Sequence, residues 1–389
     1  MKITKVTTSA ISMPIPAPNY STEGAGTKRE WYRLGRITDA KPERVLEYVL
    51  IRIETDDGVV GIGEAPTDIG FFGEPLEEVK SAIDFHLGPR LIGHDPFQRE
   101  KLMYMIDFRG NSCAKSGIDL ALHDLVGKAL GVSAGTLLGG LSKERIPVSV
   151  EIAGGPAEAM AKFSRECFDR NILAFKAKIG GVPEEDAQRL VAMREAVGPS
   201  ASLRADANQG YTVKEAIRLC RLAEDANVGL ELLEQPVAHW DLEGMAQVRS
   251  SVDTLIEADE AAYSIHDVMN LIRRGSVDVI NIKIGKAGGL LHAKKIAALA
   301  EAAGLNYVLG TAFGLAPKIA AKLQLAACST GAMDAVEFTE LLLHESLADA
   351  AGSAVFSLPL DADGCMPVPT GPGLGVTLNE DLVERYTVK

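Results

Sequence analysis

The segment FKAK at 175–178 begins a series in which a short apolar run ends in a charged residue, and the series continues with LRAD at 203–206, LLEQP at 232–236, LIEAD at 255–259 and INIK at 280–283. The charged ends recur every 24 to 28 residues, which is the length of one strand, one helix and two loops. This repeat unit predicts a (β/α) barrel, whose active site lies at the C-terminal ends of the strands. We therefore expect three carboxylates and two lysine positions to meet at one mouth.

The alternation of strand and helix patterns extends beyond these five runs. From residue 146 onward we predict eight strands separated by helical stretches, at 146–152, 173–178, 202–206, 229–234, 254–259, 278–283, 306–310 and 335–338. Eight such units favour closure into a TIM-like barrel over an open doubly wound sheet. The predicted fold class is therefore α/β.

A separate α+β domain is predicted for residues 1–130. The apolar residues alternate over 48–54, as in a half-buried strand, and an apolar stripe over 114–130 indicates a helix. We place the barrel at 131–358 and expect the last segment, 359–389, to return to the first domain. This division gives one catalytic domain and one smaller domain.

Composition narrows the classes of function. The chain has 389 residues and a net charge of −13, which argues against a nucleic-acid partner, since such proteins present a basic face. Its five cysteines have no CxxC spacing, so they do not indicate a disulfide framework or a zinc site. We find neither a signal-peptide pattern nor an apolar run of about 18 residues, and we expect a cytoplasmic enzyme with no membrane partner.

Two lysines lie on the same face of the second predicted strand. Lys176 and Lys178 are two positions apart, so both side chains point into the barrel if the strand does so. Burial beside a second ammonium group lowers a lysine pKa and makes the amine usable as a base. The alternative is a pair of solvated lysines at a strand edge. Lys283 ends strand six, opposite strand two, so Lys178 and Lys283 would flank a bound substrate.

Three carboxylates end three consecutive predicted strands: Asp206, Glu234 and Asp259. Carboxylates brought this close repel each other unless a divalent cation lies between them, and ligation by oxygen alone suits a hard ion such as Mg²⁺ or Mn²⁺. A single carboxylate at a strand end is often only a helix N-cap, but three in register weaken that alternative. Asn208 and Glu260 are neighbouring polar residues that could support the ligands.

The ordered motifs resemble a known family. They are KAK at 176–178, DAN at 206–208, LLEQP at 232–236, EADE at 257–260 and NIKIGKAGG at 281–289. This set resembles the enolase superfamily, and within it the muconate lactonizing enzyme subgroup of the mandelate racemase and muconate lactonizing enzyme family. The resemblance extends to 114–131 and 367–376, so it spans most of the chain.

The resemblance implies a (β/α)7β barrel capped by an α+β domain that both chain ends build. It implies one Mg²⁺ or Mn²⁺ per subunit, bound by the three carboxylates. It also implies that Lys178 and Lys283 are acid/base residues supported by Lys176, and that the substrate is a small carboxylate. Members of this subgroup are homo-oligomers, commonly octamers, and we expect an oligomer here.

Substrate choice should depend on the loops around the mouth. The candidate substrate-binding residues lie in two lid loops, after strand seven and at strand eight: Trp31, Phe71, Phe72, Thr311, Phe313 and Glu337. The glutamate at strand eight matches the corresponding stretch of muconate cycloisomerases. The Asp-x-Asp pair that dipeptide epimerases use there is absent.

Muconate cycloisomerisation, from cis,cis-muconate to muconolactone, is the reaction that the sequence narrowly favours. However, 310–314 lacks the acidic residue that typical muconate cycloisomerases carry shortly after Gly-Thr. Racemisation or epimerisation of an N-substituted or proline-type amino acid stays open, because two opposed lysines are what such a proton transfer requires. A non-catalytic relative that binds small acids would have lost a lysine or a ligand, and this sequence keeps them all.

Overall fold

The structure is a computed structural model, and it describes residues 1–14, 36–37, 42–43, 45–340 and 360–388. Within these ranges, no helix is both long and apolar enough to cross a membrane. Trp31, one of the candidate substrate-binding residues, lies outside the described residues.

The N-terminal part of the chain builds an antiparallel sheet. Its strands pair in the order β1, β4, β5, and β2 pairs with β3; their bounds are β1 (Ile3–Pro14), β2 (Arg36–Ile37), β3 (Pro42–Glu43), β4 (Val45–Thr55) and β5 (Val60–Pro66). Gly58 takes the left-handed φ of 79° in the turn between β4 and β5, a conformation that glycine adopts without steric cost. The alternation predicted over 48–54 is thus a central strand.

Short helices cover one face of this sheet. They are α1 (Leu76–Ser81), a π-helical turn (Ala82–Leu87), a 3₁₀ turn (Gly88–Leu91), α2 (Arg99–Met105), α3 (Ser112–Leu130) and α4 (Ala134–Leu137). Helix α3 lies directly against β5, because Gly61 and Gly63 have no side chain. A Cβ at Gly63 would come within 2.1 Å of the backbone oxygen of Gly117.

Eight parallel strands form the barrel. They are β6 (Arg145–Ile152), β7 (Ala174–Lys178), β8 (Ser202–Asp206), β9 (Leu230–Glu234), β10 (Leu255–Ala258), β11 (Val279–Ile282), β12 (Asn306–Leu309) and β13 (Val336–Glu337). They are hydrogen-bonded in the order β12-β11-β10-β9-β8-β7-β6-β13. A parallel bridge between Tyr307 and Ala332 joins the two ends of this order. The barrel is thus nearly closed, and the predicted α/β barrel with an α+β cap is confirmed.

Helices alternate with the barrel strands. They are α5 (Ala157–Phe168), α6 (Pro183–Val197), α7 (Val213–Asp225), α8 (Leu242–Arg249), α9 (Ile265–Arg274), α10 (Ile284–Ala287), α11 (Leu290–Ala302) and α12 (Ala316–Ala327). Local signals set several ends: Thr212 and Ser264 form capping boxes at α7 and α9, and Gly275 ends α9 in the left-handed conformation.

The two faces of β4 belong to different hydrophobic cores. Val49, Ile51 and Ile53 pack with the cap helices, whereas Tyr48 and Leu50 pack into the large core of the barrel. Because strand side chains alternate, one strand joins both layers. The cap is therefore packed directly on the barrel.

The end of the chain contacts both parts. Strand β14 (Cys365–Pro367) pairs antiparallel with β6, and helix α13 (Glu380–Tyr386) follows it. The N–H of Val388 then donates to the carbonyl of Ala10 on β1 at 2.8 Å. We propose the division at residues 130 and 358 as the domain boundaries, because this tail packs against the N-terminal sheet.

The pairing register decides which residues meet at the mouth. Lys178 pairs with Asp206, and Asp206 pairs with Glu234. The residue of β10 that pairs with Glu234 is Glu257, so Asp259 lies two residues farther along the chain. Lys178, Asp206 and Glu234 are thus neighbours across three strands, with Asp259 just beyond them.

Candidate active site

Lys178 lies at the C-terminal end of β7 with three acceptors around its ammonium group. Its Nζ is 2.7 Å from Oδ2 of Asp206, 3.0 Å from Oε1 of Glu151 and 3.3 Å from Oδ1 of Asn208. Its side chain is 16% exposed. Lys178 is therefore held at the mouth but remains accessible from it.

Lys176 lies one layer deeper and is fully buried. Its Nζ is 2.7 Å from both Glu234 Oε2 and Glu337 Oε1, and 3.2 Å from Glu151 Oε1. Burial alone would lower the pKa of Lys176, but the surrounding carboxylates outweigh it and raise that pKa well above its ordinary value. The ammonium form of Lys176 is thus favoured, and it links β7 to β6, β9 and β13.

Lys283 follows β11, and its Nζ is 2.6 Å from Oδ2 of Asp259. The same Nζ lies 4.2 Å from the centroid of the Phe71 ring, in a cation–π contact. Burial acts to lower the pKa of Lys283, but Asp259 outweighs it and raises the pKa above its ordinary range; Lys178 shows the same balance with Asp206. The prediction that burial beside a second ammonium group lowers the pKa values of Lys176 and Lys178 is wrong for this arrangement, because carboxylates outnumber the ammonium groups around them.

Each of the three predicted metal ligands already has a partner. Asp206 Oδ1 accepts from the N–H of Asn208 at 2.8 Å, and Glu234 Oε1 accepts from Asn281 Nδ2 at 2.9 Å. The other oxygen of each carboxylate contacts a lysine. Within the described ranges, no group of three His, Cys, Asp or Glu side chains is arranged to hold a metal ion.

The charges at the site nevertheless suit a divalent cation. Six carboxylates of the inner barrel face four lysines: Glu151, Asp206, Glu234, Glu257, Asp259 and Glu337 against Lys176, Lys178, Lys283 and Lys286. Burial, with Asp206 close by, raises the pKa of Glu234 well above its ordinary value. Burial beside Glu337 likewise raises the pKa of Glu257 to about 8. A hard cation among these oxygens would offset the surplus negative charge, so the residues fit the implied metal.

The loops after β8 and β9 orient the predicted ligands. Asn208, Gln209 and Gln235 all have positive φ, at 40°, 66° and 34°. Such left-handed conformations are costly for residues with a Cβ and tend to occur at functional sites. Gln235 Oε1 accepts from the N–H of Asp259 at 3.1 Å, which fixes the start of the loop after β10. The LLEQP motif therefore contains Glu234, the second predicted ligand, and also positions Asp259, the third.

The two residues predicted to support the ligands contact each other. Asn208 Nδ2 donates to Glu260 Oε1 at 3.3 Å, and Gln209 Nε2 donates to the same oxygen at 3.1 Å. Because Asn208 also contacts Lys178, this chain of contacts runs from the loop after β10 to the lysine on β7.

The predicted lid residues Phe71 and Phe72 lie in the loop after β5. Their rings are 4.9 Å apart, and Tyr263 stacks on Phe71 at 6.1 Å while its hydroxyl donates to the Phe71 carbonyl at 2.7 Å. Behind Phe71 is a cavity of about 880 Å³, whose walls include both phenylalanines, Tyr263, His239 and Trp240. Phe71 thus separates Lys283 from an aromatic cavity.

The other predicted substrate-binding residues form a hydrogen-bonded group at strands seven and eight. The N–H of Thr311 donates to Glu337 Oε2 at 3.0 Å, and its hydroxyl donates to Glu340 Oε2 at 2.8 Å. Glu337 is fully buried and its other oxygen faces Lys176. Phe313 lies in the loop after β12 with a φ of 40°. Substrate contact by these three residues stays a prediction.

Two family models match this chain. Residues 159–382 match "Enolase C-terminal domain-like", and residues 41–139 match "Mandelate racemase / muconate lactonizing enzyme, N-terminal domain". The chain belongs to this family of the enolase superfamily. The superfamily predicted from the motifs is therefore confirmed.

Characterised members of the family with different activities are similar to this chain. Chloromuconate cycloisomerase of Cupriavidus pinatubonensis is 32% identical over 345 residues, covering 87% of this chain and 90% of its own. N-succinyl-L-Arg/Lys racemase of Bacillus cereus is 30% identical over 390 residues, covering 100% and 98%. The dipeptide epimerase of Enterococcus faecalis, solved with Mg and L-Leu-L-Tyr, superposes with a TM-score of 0.82 at 30% identity and covers 97% of this chain and 100% of its own. These relatives are isomerases, as predicted, but identity does not separate their reactions.

Two charged residues of this superfamily site were missed by the sequence argument. Glu151 lies one residue before the end of β6, on the inner face, and contacts both Lys176 and Lys178. Burial acts against its ionisation, but the lysines lower the pKa of Glu151 to about 2. Lys286 is 2.5 Å from Asp259 Oδ1 and donates to Asn281 O at 2.9 Å. The rule used for the other strands, that inward residues near the C-terminal end face the site, would have found Glu151.

Proposed function

We propose that this protein moves a proton at the carbon next to a substrate carboxylate, through an enolate, as a two-base racemase or epimerase. The observation that carries the proposal is the placement of Lys178 and Lys283. They follow strands two and six of the barrel, and each contacts a different carboxylate of the predicted metal site, at 2.7 and 2.6 Å. The substrate class that we propose is an N-substituted or proline-type amino acid with one carboxylate.

We propose that Asp206, Glu234 and Asp259 hold one Mg²⁺ or Mn²⁺ per subunit. When bound, the cation neutralises charge that develops on the substrate carboxylate as the proton leaves. The surplus of carboxylates over ammonium groups, described above, supports this assignment.

The proposed proton path uses the two lysines in sequence. Asp206 and Asp259 raise the pKa values of Lys178 and Lys283, and a cation held by these carboxylates would weaken that effect and favour a neutral amine. That amine takes the proton from the carbon, and the electrons of the C–H bond pass into the enolate. The other lysine, as the ammonium ion, gives a proton to the opposite face of the same carbon. The second step leaves the configuration inverted and each lysine in the other's starting state. The buried cation of Lys176, 2.7 Å from Glu234 and Glu337, keeps the floor of the site fixed.

Muconate cycloisomerisation is the second candidate, supported by the 32% identity to a chloromuconate cycloisomerase and by the glutamate at strand eight. Muconate carries two carboxylates, so it needs a second cationic partner beyond the metal. The four lysines described at the mouth each contact a carboxylate within 3.0 Å. This pairing favours a substrate with a single carboxylate.

A substrate panel in deuterated water tests the proposal. Protein loaded with Mg²⁺ or Mn²⁺ is incubated with cis,cis-muconate, N-acetylalanine, N-methylproline and L-Ala-L-Glu, and proton NMR follows the products. Deuterium at the α-carbon with loss of configuration is the expected result. Conversion of muconate to a lactone carrying one deuterium would instead establish the second candidate. Binding of these acids without exchange would indicate the non-catalytic relative and contradict both.

Three further assignments belong to the same proposal. We propose a homo-oligomer, with the octamer as the first state to test by light scattering. We also propose a cytoplasmic location and a small carboxylate as the partner, with neither nucleic acid nor membrane. The family resemblance and the net charge of −13 support these assignments.

A further inference from the structure

The two proposed bases, Lys178 and Lys283, differ in those neighbours that are not proposed metal ligands. Lys178 has Asp206, Glu151 and Asn208 as acceptors. Asp206 is a proposed ligand, and a carboxylate whose charge is shared with a cation attracts an ammonium group less strongly. Glu151 is then the one ionised partner in this set that the metal does not require. Its side chain is 5% exposed, and its backbone N–H donates to Thr339 Oγ1 at 2.9 Å.

Lys283 also has a neighbour that is not a proposed metal ligand. Apart from Asp259, its described contact is the face of the Phe71 ring at 4.2 Å. Phe71 is itself held in place, because Tyr263 stacks on its ring and donates a hydrogen bond to its carbonyl. An aromatic face attracts an ammonium group and offers an amine an apolar surface.

We propose that Glu151 is the positioning residue of Lys178, and that Phe71 is its counterpart for Lys283. The inference rests on the proposed two-base function. It assigns a role to Glu151 on strand one, which is not among the three carboxylates and two lysines predicted from the sequence. Its consequence is stereochemical: because each lysine serves one face of the substrate carbon, each positioning residue controls one face.

Exchange and inversion in deuterated water measure the two faces separately. Suppose that Lys178 is impaired. The enantiomer whose proton faces Lys283 still loses that proton, and Lys283 returns solvent deuterium to the same face, so exchange with retention outpaces inversion. The enantiomer whose proton faces Lys178 loses it slowly, so its exchange and inversion fall together. An impaired Lys283 gives the opposite pattern.

The experiment compares Glu151→Gln with Phe71→Leu, using both enantiomers of N-acetylalanine and of N-methylproline with saturating Mg²⁺. Gln keeps the size of the side chain but removes its charge, and Leu keeps the apolar contact but removes the ring. We expect the ratio of exchange with retention to inversion to rise about tenfold for one enantiomer in Glu151→Gln, as for other residues that orient a reacting group. In Phe71→Leu the same rise should occur for the opposite enantiomer.

Two controls separate positioning from general damage. Mg²⁺ titration calorimetry should give a value for Glu151→Gln close to that of the wild type, and thermal unfolding measures separately the cost of changing the contact with Lys176. Glu151→Asp, which restores the charge, should bring the ratio back toward the wild-type value. A rise for the same enantiomer in both variants, or equal losses for both enantiomers in Glu151→Gln, would overturn the inference and leave the proposed function standing. Absence of exchange in the wild-type protein would instead overturn the proposed function, and this inference with it.

Discussion

The two sides of the barrel mouth use charged residues in different ways. On the side formed by β7 to β11, lysines and carboxylates end the strands and lie next to the opening, with Lys178 partly exposed. On the side formed by β12, β13 and β6, the polar groups are buried and several of them contact one another: Thr311 donates to both Glu337 and Glu340, and Lys322 Nζ lies 3.0 Å from Glu340 Oε1. The surplus of carboxylates at the mouth arises where the two sides meet, because Glu151 and Glu337 of the second side face Lys176 of the first.

The first side carries the residues proposed for the reaction, and the second side carries residues that hold the barrel together. A surplus of carboxylates is unfavourable in a buried site unless a ligand offsets it, and the proposed ligands of that cation, Asp206, Glu234 and Asp259, all belong to the first side. The second side closes the barrel and fixes the loop after β12, where Lys318 Nζ donates to the Ala312 carbonyl at 2.9 Å.

The largest expected effect comes from removing a ligand on the charged side. Asp259→Asn should abolish Mg²⁺ binding in titration calorimetry and lower proton exchange about a thousandfold, because the cation supplies several kcal/mol to the transition state. Asp169→Asn is the matched control: it makes the same change at a carboxylate that is 56% exposed and pairs with Arg165. That variant should retain Mg²⁺ binding. If the Asp259→Asn variant bound Mg²⁺ with wild-type affinity, the surplus of carboxylates would have another role.

Lys176 connects the two sides, so its removal should destabilise the whole barrel. Lys176→Met leaves Glu151, Glu234 and Glu337 without their shared cation, and breaking such a buried set costs about 3–5 kcal/mol. Urea unfolding of the metal-free protein measures this loss. The control is Lys162→Met, whose lysine is 80% exposed and 4.0 Å from Glu166, with an expected change within about 0.5 kcal/mol. Equal stability of the two variants would contradict the role of Lys176.

A smaller effect, which depends on pH, is expected where the cap contacts the loop after β12. Glu64 of β5 accepts from the N–H of Leu315 at 2.7 Å, and burial raises its pKa from 4.5 to about 7. Between these pH values the folded protein keeps a proton that the unfolded chain has released, so stability falls as pH rises from 4.5 to 7.

Replacing Glu64 by Gln tests this dependence. Glu64→Gln should flatten the fall in the free energy of unfolding over that interval by about 1–3 kcal/mol. At pH 4 the variant and the wild type should show the same response to pH, which serves as the internal reference. A slope that is unchanged in the variant would assign the pH dependence to other groups.

The side of the mouth formed by β7 to β11 could be predicted from the sequence, because charged residues at the strand ends recur at a regular interval. The period of 24 to 28 residues places Lys178, Asp206, Glu234, Asp259 and Lys283 at one rim without any knowledge of side-chain contacts. The fold followed from the same period. In the cap, the alternation over 48–54 predicted one strand of the N-terminal sheet.

The features that could not be predicted depend on contacts between residues that are distant in sequence and meet only in the folded barrel. The pKa direction of Lys176 was wrong because the count of carboxylates near it includes Glu151 and Glu337, which come from strands one and eight. Strand one is the direct neighbour of strand two, so Glu151 was within reach of the strand-end rule, whereas Glu337 of strand eight joins strand one only when the barrel closes. Lys286 was missed for a similar reason: it lies in a glycine-rich turn, and only the short helix α10 turns its Nζ back to Asp259.

The most direct test of the two-base account is α-proton exchange by single lysine variants. Lys178→Ala and Lys283→Ala, loaded with Mg²⁺, are each given both enantiomers of N-acetylalanine and N-methylproline in deuterated water. The account predicts that inversion is lost in both variants, while one enantiomer still exchanges in Lys178→Ala and the opposite enantiomer exchanges in Lys283→Ala. Exchange of the same enantiomer in both variants, or inversion at the wild-type rate in either, would contradict the assignment of the two lysines to opposite faces.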